Sequence, residues 1–80
     1  MLEIGHEFER NGVQFCVVDI VDLNNKSYCF LSEERRNEKM DFHFYEYSIS
    51  STGDVNLDLV KNDDLIDNLY SVMEERNRYE

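Results

Sequence analysis

Asn11-Gly12 sits between two stretches that each alternate apolar and polar residues, and this constrains the chain most. A two-residue type I′ turn needs positive φ at both central positions, and Asn-Gly is the pair that supplies it most readily. Before it, Leu2, Ile4, His6 and Phe8 alternate with Glu3, Gly5, Glu7 and Glu9, the period-two pattern of a half-buried strand. The sequence therefore predicts a hairpin with strands over about 2–9 and 13–21. A two-residue loop sets the register: Phe8 faces Phe15, His6 faces Val17, Ile4 faces Asp19 and Leu2 faces Val21.

The same reasoning carries down the chain. Asn24-Asn25 marks a second turn and predicts a strand over about 27–32, with Val21 opposite Tyr28 and Ile20 opposite Cys29. One face then collects Leu2, Ile4, Phe8, Phe15, Val17, Val21, Tyr28 and Phe30, which predicts the core side. The reverse face collects Cys16, Val18, Ile20, Cys29 and Leu31 beside Glu3, Glu7 and Glu9. The run Glu33–Lys39 (EERRNEK) reads as an exposed connector. Strands are expected over about 40–49 and 55–60, joined by a turn containing Gly53, with Ile49, Tyr47 and Tyr45 opposite Val55, Leu57 and Leu59. Leu65, Ile66, Leu69, Val72 and Met73 recur at helical spacing, so a helix is expected over about 63–76, capped by Asn62 or Asp63. The fold class that follows is α+β: one domain, a five-stranded antiparallel meander with a C-terminal helix packed on one face.

The charge is unevenly placed. The chain carries 18 Asp and Glu against 8 Lys and Arg, a net charge of −10, and residues 41–75 hold nine acids and a single Lys. Such a balance argues against a direct nucleic-acid or anionic-membrane partner, since both attract Lys and Arg. Ten Phe and Tyr residues make the chain too aromatic for a disordered acidic tail. No apolar run approaches the roughly 20 residues that span a bilayer. The first residues lack the basic and apolar regions of a signal peptide. A cytoplasmic protein with reduced thiols is expected.

No pattern of catalytic residues emerges, and the chain is expected not to be an enzyme. Asp54-x-Asn56-x-Asp58 opens like a calcium loop, but Leu59 and Leu65 stand where the motif needs Gly and Glu. Asp63, Asp64 and Asp67 could hold Mg²⁺, yet a helix start explains all three, because its dipole favours anions there. His6, Cys16, Cys29 and His43 lack zinc-ligand spacing. The histidines are read as hydrogen-bonded packing residues, the cysteines as small apolar filler, and no metal or other cofactor is expected. Phe42, Phe44, Tyr45 and Tyr47 are read as core rather than as a base-stacking platform, which would need a basic groove.

The run Phe8-Glu9-Arg10-Asn11-Gly12-Val13-Gln14-Phe15, then Tyr28-Cys29-Phe30-Leu31, then an acidic C-terminal helix, resembles the small YrzB-like acidic proteins of unknown function. The connector Glu33–Lys39 is more basic than that pattern. In size and acidity the chain also resembles phage-encoded inhibitors, including anti-CRISPR proteins, several of which are similar to nucleic acid in surface charge. Neither resemblance supplies a catalytic residue. The second implies a non-enzymatic inhibitor or regulator docking on a basic, nucleic-acid-binding surface of another protein. The carboxylates expected to meet that partner are Asp41, Glu46, Asp54, Asp58, Asp63, Asp64, Asp67, Glu74 and Glu75. The alternative is a structural or regulatory subunit, monomer or homodimer, using the apolar face of Cys16, Val18, Ile20, Cys29 and Leu31.

Overall fold

The computed structural model describes residues 2–36 and 39–78. Five strands, β1 (Glu7–Arg10), β2 (Val13–Leu23), β3 (Lys26–Glu34), β4 (Asp41–Ile49) and β5 (Val55–Leu59), precede one helix, α1 (Asp63–Arg78). The strands form a single antiparallel sheet in the order β1-β2-β3-β4-β5, the expected meander. Turn chemistry explains the hairpins. Asn11 and Gly12 have φ of 52° and 79°, and Asn24 and Asn25 have 53° and 64°, the left-handed pairs that type I′ turns require. Phe8 faces Phe15, Val21 faces Tyr28, Ile20 faces Cys29, and Ile49, Tyr47 and Tyr45 face Val55, Leu57 and Leu59. These registers are the expected ones.

The first strand is shorter than its alternation suggests. Gly5 has φ of 91°, and the His6 amide donates to the Glu3 carbonyl at 3.0 Å, closing a turn at residues 3–6. Glycine at the third position of such a turn carries no Cβ penalty. Leu2 is folded back into the core and Ile4 is exposed, so neither pairs with Val21 or Asp19 as expected.

A β-bulge at Val18 makes the second departure. Val17 faces Leu31 but Asp19 faces Phe30, so Cys16 meets Ser32 instead of Glu33. One extra residue reverses which face every later side chain takes. The expected single core face is therefore divided in two. Phe15 and Val17 join Leu2, Cys29 and Leu31 in one cluster. Val21, Tyr28 and Phe30 join Phe44 and Leu69 in another.

The two clusters lie on opposite sides of the sheet and are covered differently. On one side the sheet curls over itself, so that Phe8 and Val13 from one end and Val55 and Leu57 from the other pack on the same cluster. The Arg10 guanidinium closes the seam by donating to the Val55 carbonyl at 2.9 Å. On the other side α1 lies across the sheet, inserting Leu65, Ile66, Leu69, Val72 and Met73. Asn62 caps the helix, its Oδ1 accepting from the Leu65 amide at 3.1 Å. Arg76 ties down the far end, donating to the Ile20 carbonyl at 2.7 Å and pairing with Asp19 at 3.5 Å.

Candidate functional site

The nine acids expected to meet a partner fall in four places. Asp41 lies beside Arg35, at 3.8 Å, on the curled side. Asp54 belongs to the β4–β5 turn, where its Oδ2 accepts from the Thr52 hydroxyl at 3.1 Å and its amide donates to the Ser50 hydroxyl at 3.1 Å. Glu46 and Asp58 are cross-strand partners on the helix-bearing side, and Glu46 is paired with Lys26 at 3.3 Å. The other five, Asp63, Asp64, Asp67, Glu74 and Glu75, are exposed on α1.

Helix geometry makes those five a row. At about 100° per residue they share one third of the helix circumference, centred opposite the stripe of Leu65, Ile66, Leu69, Val72 and Met73. No Lys or Arg occurs between Asn62 and Glu75, so nothing along that stretch neutralises them. Arg76 is drawn toward the sheet by Asp19 and Ile20. Beside the row stands Tyr70, exposed, with its ring against Phe30 and Phe44.

The apolar face expected as an alternative interface does not exist as a surface. Cys29 and Leu31 are both 0% exposed, at the centre of the curled core. Ile20 packs against the same core, while Cys16 points to the other side of the sheet. Val18 is exposed because the bulge turns it outward. The reason is the bulge together with the curl: one splits the set between faces, the other covers what is left. Both cysteines are free thiols.

One polar cluster escaped the sequence reading. Glu33, placed there in an exposed connector, belongs to β3 and is only 2% exposed. Its carboxylate is hydrogen-bonded to His43 Nδ1, accepts from the Tyr45 hydroxyl at 3.0 Å and pairs with Arg35 at 3.3 Å. A buried carboxylate is tolerable when its lone pairs are satisfied in this way. Burial, then the hydrogen bond to Glu33 and its negative charge, push the Tyr45 phenol up to about 12. Burial pushes the Cys29 thiol up to about 12 as well, leaving it a protonated, inert filler. The available signal was period: Cys29, Leu31 and Glu33 share one face, opposite Tyr45, His43 and Asp41.

Two open clefts flank the strands. One, of about 280 Å³, lies at the seam between Phe8, Arg10, Asp54 and Val55. The other, of about 320 Å³, lies beside Lys26, Glu46 and Asp58. Among the described residues no group of three His, Cys, Asp or Glu side chains is placed to hold a metal ion. No helix among them is long and apolar enough to cross a membrane. No protein family, no curated protein and no solved structure matches this chain.

Proposed function

We propose that this chain is a non-enzymatic acidic binding protein that docks, through the outer face of α1, on a basic nucleic-acid-binding surface of a partner protein in the cytoplasm. The observation that carries the proposal is the row Asp63, Asp64, Asp67, Glu74 and Glu75, aligned opposite the helix's buried stripe and free of intervening bases. From Asp63 to Glu75 the helix rises about 18 Å at 1.5 Å per residue and carries five carboxylates, three within the first ~6 Å and two at the far end. Phosphates recur every ~3.4 Å along one DNA strand. The molecule measures 34 × 34 × 26 Å, so its longer dimensions match about one ~34 Å turn of duplex. A partner's Lys and Arg would meet a similar number of charges over the length of that row, gathered at its two ends. Steering by the net charge of −10 would make association fast and salt-sensitive.

The test is capture from cell extract on the immobilised protein, beside a variant with Asp63, Asp64 and Asp67 changed to Asn and Glu74 and Glu75 to Gln. The expected result is a nucleic-acid-binding protein that duplex DNA displaces, that elutes as salt rises and that the variant fails to hold. Capture that resists high salt, or that the variant retains in full, overturns the proposal.

A further inference from the structure

Acid meets aromatic at one edge of α1. Phe30 and Phe44 are buried, with ring centroids 4.6 Å apart. Phe42 stacks on Phe30 at 5.6 Å, and Tyr70 meets Phe30 edge-on at 5.6 Å and Phe44 at 5.0 Å. Part of each outer ring is thus taken up by the core and the rest is open: Phe42 remains 47% exposed and Tyr70 43%. Because both rest on Phe30, their centroids lie within about 11 Å of each other. Met40, two residues before Phe42, is exposed as well.

Tyr70 stands three residues after Asp67 and four before Glu74. Residues at those spacings are neighbours on a helix surface, about 5–6 Å apart at Cβ. An exposed ring is therefore bracketed by two exposed carboxylates, with a second exposed ring close by. A surface for simple cations needs no rings, and an apolar dimer face would be opposed by the carboxylates on both copies. The group that satisfies rings and carboxylates together is a guanidinium, whose plane stacks on an aromatic face while its N–H edge donates to an acid. A lysine ammonium, compact and strongly hydrated, uses the carboxylates but gains less from the rings.

We infer that Phe42 and Tyr70, with Asp67 and Glu74, form a recognition patch for arginine side chains, so that the partner presents an arginine-rich rather than a lysine-rich segment. This rests on the reading of α1 as an acidic docking face and names the chemistry that face selects.

Calorimetric titration with oligoarginine and oligolysine peptides of equal length tests it. The titrations use the wild type, a Phe42→Leu/Tyr70→Leu variant that keeps an apolar side chain at each position but removes both rings, and an Asp67→Asn/Glu74→Gln variant. Oligoarginine is expected to bind the wild type about three- to tenfold more tightly than oligolysine. The ring-less variant should lose that preference while holding oligolysine as before, and the neutralised variant should bind both peptides less well. Helical circular dichroism of the ring-less variant must match the wild type; a second ring-less pair, Phe42→Met/Tyr70→Met, serves if it does not. Equal affinity for the two peptides overturns the arginine patch and leaves the acidic docking face standing. Failure of both peptides to bind overturns both.

Discussion

The two sides of the sheet bury similar kinds of residues and differ in how much charge they leave outside. On the curled side the strands close over their own core, and one carboxylate, Glu33, is taken inside with His43, Tyr45 and Arg35 around it. On the helical side the core is closed by a separate element; Asp19, 9% exposed, is taken inside and paired with Arg76, while the acids of α1 stay outside in a row with no base along it. A charge inside must be fully satisfied and fixes geometry. A charge outside costs little, is screened by salt and remains available to a partner. The curled side thus fixes its buried charge with three partners, and the helical side leaves a row of charges exposed on α1.

Cavity substitutions should test this difference most strongly. Leu31 and Leu69 are both fully buried, so replacing either by Ala should cost about 2–5 kcal/mol. Leu31 lies on β3, whose backbone is held by β2 and β4 on both sides, whereas α1 can shift to fill a hole left by Leu69. Urea unfolding should therefore place Leu31→Ala lower in stability than Leu69→Ala. The reverse order would mean that the helix is the more rigid cover.

Carboxylate substitutions come next in size. Glu33→Gln keeps the volume but weakens the bonds to His43, Tyr45 and Arg35, and should cost about 1–3 kcal/mol. Glu74→Gln, on the exposed row, should change stability by no more than about 0.5 kcal/mol. Unfolding midpoints of the two variants at neutral pH compare inside with outside directly, and equal values would erase the distinction drawn between them.

The smallest effect at neutral pH is an alkaline one. Cys29 and Tyr45 both contribute to the curled core, and both are pushed up to about 12 from ordinary values of 9.0 and 10.0. Each is neutral when protonated. Above pH 9 the unfolded chain gives up these protons before the folded chain does, so the folded state is the one holding more of them. Stability should be intact below pH 9 and fall as pH rises toward 12. Cys29→Ala should flatten the first part of that decline in thermal melts, and an unchanged slope in this variant would show that the thiol is not what the curl keeps dry.

The hairpins were legible because turn chemistry is local. Asn11-Gly12 and Asn24-Asn25 set two registers with no help from the rest of the molecule, and like-with-like pairing set the third between β4 and β5. The helix was equally plain from its apolar period and Asn62 cap. Three things were not legible. The bulge at Val18 leaves no mark in the apolar run Val17-Val18, since it is a mismatch in residue count between two strands. The turn at Gly5 interrupts a faultless alternation with a single residue. Glu33 reads as the start of a charged connector because its partners His43 and Tyr45 are ten and twelve residues away. Of the candidate site, the acids and their sorting into a turn, two strands and the helix were visible; the cations that meet Glu46 and Asp41, Lys26 and Arg35, were not.

By itself the sequence determined the element order, the antiparallel meander, three of the strand registers and the acidic balance, because each follows from neighbours along the chain. The tertiary structure decided which face each residue of β2 and β3 serves, since one bulge reverses that parity. It decided that Cys29 and Leu31 are interior, since only the curl covers them. It also decided where free charge remains: a carboxylate's availability depends on what is folded against it, and the outer face of α1 carries a row of acids with nothing along the helix to meet them.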